Sequence, residues 1–270
     1  MSTSRKTEVA DHLREALSRG DYKPGERLPG EEELAEQLDV SRATARLGMR
    51  ILQDEGRIAI QAGRGAFVSD HRPIVHLATP ISGGSDSERF DAGYQPHLRE
   101  AGYDQIDEKI KVSLDTMRPK VARRLRHGEA ADGPHGGLVV IRASDRFVDG
   151  GLWQSQVTYF PFHIANNTPL MSPDRLEQGV AAILQGLGYR EEWNWDIVGA
   201  RMPSQDEAES FGLSPGIPLL VQERVAYDGE VPLRFTETIM PANRHQLLYS
   251  GGQAPEELLL MASDVNIFER

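Results

Sequence analysis

The chain has 270 residues, 41 acidic against 30 basic side chains (net charge −11 at pH 7), 39% hydrophobic residues and no cysteine. That length suits two domains or one large one, and the missing cysteines exclude disulfides and thiolate chemistry. No apolar run approaches the roughly 20 residues that span a bilayer, and the polar start MSTSRKTEVADHL lacks the apolar core of a signal peptide, so a cytoplasmic protein with no membrane association is expected.

In chain order, Val9, Leu13 and Leu17 recur at fourfold spacing and predict a helix over 5–19, ended by Gly20. Pro24-Gly25 and Leu28-Pro29-Gly30 are breaks, after which Glu31, Glu32 and Glu33 can open a second helix at its dipole-favoured end. Leu34, Ala35 and Leu38 supply its apolar face. Ser41 is a natural N-cap for a third helix over 42–55. Two short helices joined by about three residues fit a helix-turn-helix. At about 100° per residue Arg42, Arg46 and Arg50 line one side of the third helix, and Leu47, Ile51 and Leu52 are expected away from them. Such a stripe is often only a solvated face, but Arg also binds guanine or phosphate in a bidentate way. Residues 58–60 and 66–68 predict two short strands around the turn Gly63-Arg64-Gly65, a wing whose Arg64 suits the negative minor groove.

The combination resembles the winged helix-turn-helix of the GntR family of bacterial transcription regulators. Its carriers are Gly20 to Pro29 (GDYKPGERLP), Glu33-Leu34-Ala35, Val40-Ser41-Arg42-Ala43-Thr44, Arg46, Leu52, Glu55-Gly56 and Gly63 to Val68 (GRGAFV). Gly30, Ala45 and Leu47 depart from residues usual there. The resemblance implies binding of double-stranded operator DNA through Ser41, Arg42, Thr44, Arg46, Arg50, Gly63, Arg64 and Gly65. Residues near the start of the recognition helix reach base edges, so Arg42, Thr44 and Arg46 are the expected readers and Arg50 lies nearer the backbone.

Past a polar link at 70–75, residues 74–78 read as a strand and 79–87 (TPISGGSDS) as a surface loop or an anion-binding turn. A helix over 89–100, a strand over 106–114 and a basic, solvated helix over 119–126 follow. Strands at 138–148 and 152–160 join at Asp149-Gly150-Gly151 as a hairpin. A loop at 166–173, a helix at 176–187, a strand at 193–202 and a helix at 205–211 capped by Ser204 come next. Strands at 218–226 and 232–240 turn at Asp228-Gly229, and a short helix candidate lies in the 250–270 tail.

This second unit reads as an α+β domain with an antiparallel sheet. It resembles the UTRA effector domain of the HutC branch of GntR regulators, a chorismate-lyase-like fold. The carriers are Arg142 with Arg146, Val148-Asp149-Gly150, Tyr159-Phe160-Pro161, Ala200 to Pro203, Glu207-Ala208, Gly216-Ile217-Pro218, Arg224, Asp228-Gly229, Thr236-Glu237-Thr238 and Pro241 to Arg244. The expected layout is therefore a DNA-binding domain at 1–69, a linker at 70–75, an effector-binding and dimerisation domain at 76–249 and an extension at 250–270. The resemblance implies a small polar or anionic effector, sugar phosphates included, bound against the sheet by Arg142, Gln156, Tyr159, Arg201 and Glu237, and a homodimer on a pseudo-palindromic operator, with repression relieved by ligand. No cofactor, metal site or catalytic residue is expected, because the eight histidines are scattered and no nucleophile–base set emerges from spacing. Two alternatives stand beside this reading. One is a ligand-independent dimeric repressor of plasmid or phage transfer genes, and the other is a chorismate-lyase-like enzyme.

Overall fold

The computed structural model describes residues 4–23, 25–61, 63–68, 74–77, 106–126, 137–148, 150–213 and 215–249. The expected loop at 79–87, the helix at 89–100 and the 250–270 tail lie outside them.

The N-terminal unit is three helices and a wing. α1 (Arg5–Arg19) ends where Gly20 turns left-handed, φ 78°, and its N–H closes on Ala16 and Leu17. α2 spans Glu31–Gln37 with its three glutamates in the first turn, and α3 spans Arg42–Asp54. Val9, Leu13, Leu34, Met49 and Leu52, each at most 3% exposed, form the common core. The burial side of α3 is Ala45, Gly48, Met49 and Leu52. Leu47 is 46% exposed, contrary to its expected place. Three residues before Arg50 and four after Ala43, it shares their outer side of the helix.

β1 (Ile58–Gln61) and β2 (Gly65–Val68) pair antiparallel, with Ile58 opposite Val68. The segment before α2 adds itself to this wing: Leu28 N–H donates to the Ala66 carbonyl and Val68 N–H to that of Glu26, both at 2.8 Å. The Pro-Gly-rich stretch between α1 and α2 is thus a third, short edge of the wing.

The second unit contains β3 (Ile74–Leu77), β4 (Ile106–Thr116), α4 (Pro119–Arg124), β5 (Leu138–Val148) and β6 (Gly151–Pro161). Then come α5 (Phe162–Ala165), a 3₁₀ turn (Pro169–Met171), α6 (Gly179–Gly186), β7 (Trp193–Arg201), α7 (Gln205–Phe211), β8 (Leu219–Asp228), β9 (Val231–Pro241) and β10 (His245–Leu248). Six strands form one sheet in the order β4-β5-β6-β9-β8-β7, antiparallel throughout, while β10 pairs in parallel with β3. The fold is α+β, a winged helix-turn-helix followed by an antiparallel-sheet domain.

Strand alternation divides the large sheet into two faces. On one, Val140, Phe160 and Leu233 pack with Ile164, Leu170 and Leu184 from α5, the 3₁₀ turn and α6. On the other, Val139, Val225 and Phe235 pack with Val121 and Leu125 of α4 and its end. α4 is not merely a solvated basic helix: Lys120 bridges Glu223 and Glu237, and the Arg124 side chain donates to Glu223 at 2.7 Å. Its cations meet acids that the sheet presents on adjacent strands, a pairing that local sequence does not reveal.

Candidate nucleic-acid interface and effector site

Ser41 caps α3 with its Oγ accepting from Thr44 N–H at 3.1 Å, and the two hydroxyls lie 2.8 Å apart. That cap fixes the first turn of α3, so Arg42, Arg46 and Arg50, all exposed, project from one side. Arg42 is not free in the unbound protein. Its Nε donates to Glu31 at 3.0 Å and its Nη1 to Glu32 at 2.8 Å, while Arg46 Nε lies 4.0 Å from Glu31. These acids hold the Arg42 guanidinium above its ordinary pKa, the Glu31 hydrogen bond contributing most. At the wing tip Gly63 and Gly65 both take positive φ, 74° and 108°. A Cβ on Gly65 would meet Arg27 Nε at 3.0 Å. Arg64, between them, is exposed with its guanidinium 5.9 Å from the Phe67 ring centre. The eight residues singled out from the sequence therefore lie at the start and outer side of α3 and at the wing tip.

The five candidate effector residues do not share one face. Arg142 pairs with Thr158 across β5 and β6, and Gln156 lies between Ser144 and Thr238, so Arg142 and Gln156 share the face of Val140 and Phe160. Tyr159 lies beside Ile141 and Phe235, Glu237 beside Val157 and Glu223, and Arg201 beside Leu219, all on the opposite face. There Tyr159 stacks on Phe235 at 5.5 Å, and burial together with Glu237 raises its phenol pKa. Glu237 pairs with Lys120. Arg201 clamps the Glu207 carboxylate through two bonds of 2.7 and 2.6 Å, and Glu207 also completes the capping box of α7 with Ser204. The Arg201 bond, helped by the cap, holds the Glu207 carboxyl down at about 2.

The face of Arg142 carries more chemistry than spacing suggested. Arg146, 9% exposed, donates from Nη1 to Gln154 at 2.9 Å and from Nη2 to Gln156 at 3.0 Å, and its Nε lies 3.2 Å from Glu108. Ser144 donates to the same Glu108. Arg142 donates to the backbone carbonyls of Ser172 and Asp174, and burial lowers its pKa. The sequence marks Arg146 only as a carrier of the resemblance and Gln154 only as an alternative to Trp153 in facing the cavity; Ser144 and Glu108 are not singled out. The available signal was Arg142-x-Ser144-x-Arg146 facing Gln154-x-Gln156-x-Thr158, which reads as two solvated strand faces until tertiary packing covers them. Trp153 is elsewhere, against His245 at 5.5 Å between ring centres.

Two family models match. Residues 5–68 match the bacterial regulatory proteins of the gntR family and residues 133–246 match the UTRA domain. The chain thus carries a DNA-binding domain of the gntR family of bacterial regulatory proteins, with a UTRA domain behind its helix-turn-helix. An HTH-type transcriptional regulator of Streptomyces coelicolor is 28% identical over 77% of this chain and 78% of its own length. The transcriptional repressor NagR of Bacillus subtilis is 31% identical over 44% of this chain and 49% of its own length. In fold, PhnF from Mycobacterium smegmatis superposes over 91% of this chain and all of its own, with a TM-score of 0.53 at 21% identity. Among the described residues no helix is long and apolar enough to cross a membrane.

Proposed function

We propose that the chain is a cytoplasmic, homodimeric repressor whose hold on a pseudo-palindromic operator is released by a small polar or anionic metabolite. Residues 1–69 form the DNA-reading unit and 76–249 the effector-binding and dimerisation unit. In each DNA-reading unit Arg42, Thr44 and Arg46 reach base edges, Arg50 and the Ser41 end of α3 meet the backbone, and Gly63-Arg64-Gly65 enters the adjacent minor groove. Two-fold operators require two such units, which is why the reading includes a dimer.

The observation that carries effector control is the guanidinium of Arg146. It is nine-tenths buried, yet it is held by two amide oxygens of β6 and one carboxylate of β4, the two strands that flank its own. A buried fork with soft, exchangeable partners suits a ligand with an anionic or hydroxyl-rich edge. Gln156 and Ser144 stand beside it as donors, with Arg142 on the next row. Tyr159, Arg201 and Glu237 belong to the opposite face and have structural partners, so they are left out of this site. A ligand releases DNA only by the difference in its affinity for the two arrangements of the reading units.

The test begins with duplexes recovered by the full-length protein from a randomised pool. Sugar phosphates and small polar carboxylates are then screened for release, read by fluorescence anisotropy. Arg146→Gln should bind the selected duplex like the wild type and need about tenfold or more ligand for release, the scale of a lost charged hydrogen bond. Equal response of wild type and variant would remove the site from the Arg142 face. If no compound releases DNA or shifts the melting temperature, the ligand-independent repressor takes its place.

A further inference from the structure

Arg42 stands at the first position of α3, where the helix dipole presents its positive end. A cation there is badly placed unless an anion neutralises it. In the complex that anion would be a phosphate, or the acceptor edge of guanine. In the unbound protein two carboxylates fill the role: Glu31 on Nε at 3.0 Å and Glu32 on Nη1 at 2.8 Å. Two of the five N–H donors of the guanidinium are therefore already engaged, and its charge is already neutralised. These are not deeply held contacts, since Arg42 is 62% exposed and Glu32 77%, so water and ions can exchange them. Glu33, next in line, is exposed and makes no ion pair with a described residue.

We propose that Glu31 and Glu32 act as an intramolecular competitor of DNA at Arg42, so that binding proceeds by exchanging these carboxylates for the nucleic acid and the pair sets the protein's affinity. The inference rests on the reading of Arg42 as a DNA contact. Its physical content is a linked equilibrium. Each duplex must displace the acids before it gains Arg42, and the released carboxylates then face phosphates and recruit cations. Affinity falls for any sequence, and fewer ions are released overall than an unencumbered arginine would release. This also gives Glu31 and Glu32 a role beside the recognition helix beyond their favourable place at the start of α2. Arg46, 4.0 Å from Glu31, is the secondary beneficiary of their removal.

The experiment measures binding of the full-length protein to a random-sequence duplex and to a duplex selected from a randomised pool, over a series of salt concentrations. The variants are Glu31→Gln with Glu32→Gln, Glu33→Gln as a charge control, Arg42→Gln, and Arg42→Gln combined with both substitutions, each checked for a wild-type circular-dichroism melt. Competition requires the double glutamine variant to bind both duplexes about three- to tenfold more tightly. It also requires the slope of log affinity against log salt to steepen by about one. Both changes must disappear when Arg42 is absent, and Glu33→Gln must do little. Three results would each overturn the proposal. A gain that survives in the Arg42→Gln background is ordinary charge repulsion. Weaker binding by the double variant makes the carboxylates positioners of Arg42 in the complex. An Arg42→Gln protein that binds as the wild type does removes Arg42 from the interface, and that outcome is separately visible as a failure of the underlying reading.

Discussion

Gly48 sits where α1 and α3 cross. A Cβ there would lie 2.5 Å from Val9 Cγ1 and 3.0 Å from the Lys6 carbonyl, closer than atoms tolerate. Gly48→Val should therefore push the helices apart and cost about 1–3 kcal/mol, an overpacking penalty read directly in urea unfolding. A melt unchanged from wild type would mean that α1 yields freely. At Glu207 the prediction concerns pH. Its carboxyl is held at about 2, below the ordinary 4.5, by Arg201 first and by the α7 cap. A depressed carboxylate adds stability that is complete above about 4.5 and is lost as pH falls toward 2. A carbon-detected NMR titration should find the wild-type midpoint near about 2 and that of Arg201→Gln moved up toward the ordinary value. A midpoint indifferent to Arg201 would leave the cap as the sole cause. Local arithmetic finds residues such as Ser41 and Ser204, because a cap depends on neighbours three positions away. It misplaces Leu47 because the buried side of α3 is chosen by α1 and α2, not by the arginines.

At the scale of elements, most of the described helices and hairpins were legible in the sequence to within a few residues, since their signals are short-range: fourfold apolar spacing in α1, Asp228-Gly229 between β8 and β9, Asp149-Gly150 between β5 and β6; α5, the 3₁₀ turn and β10 were not expected. What a strand faces was not legible. Arg142 and Tyr159 are each plausible ligand groups taken singly, and only register assigns them to opposite sides of the sheet. The acidic pair Glu223 and Glu237 shows the same limit from the other side. They are direct cross-strand partners, and like charges so placed repel unless a third group intervenes. α4 supplies it in Lys120. Lys120→Met should destabilise the protein by less than about 1 kcal/mol, because the ammonium is half exposed and screened. Against its burial, Lys120 and Arg124 hold the Glu223 carboxyl below its ordinary 4.5, so the deficit should be complete above about 4.5 and shrink as pH falls below it. Chemical denaturation of both proteins at pH 7 and pH 4 checks this, and a deficit independent of pH would assign the loss to packing of the lysine stem.

At the scale of the whole molecule, the DNA-reading helix does not end in open solvent. Beyond Asp54 the chain turns at Gly56, φ 71°, where an added Cβ would meet Asn243 at 3.1 Å and Ile217 at 3.2 Å. Gly216 likewise approaches Asp54. The turn between β9 and β10 therefore touches the far end of α3, and His245, next to it, packs on Trp153 of β6. This is a contiguous line of contacts from recognition helix to sheet, and no periodicity in either stretch announces it, because each touching pair is more than 90 residues apart in sequence. The parallel pairing of β3 with β10 belongs to the same junction, with Ile74 opposite His245. Its consequence reaches into translation. The winged unit is fully synthesised at Val68, whereas the strand that receives β3 begins at His245, 245 − 68 = 177 residues later. At about 5–20 residues per second that interval lasts roughly 10–35 s. For that time each nascent chain carries a complete reading head without its junction, so under the proposed effector control β10, the last of the described strands, is the one that would put the newborn protein under control.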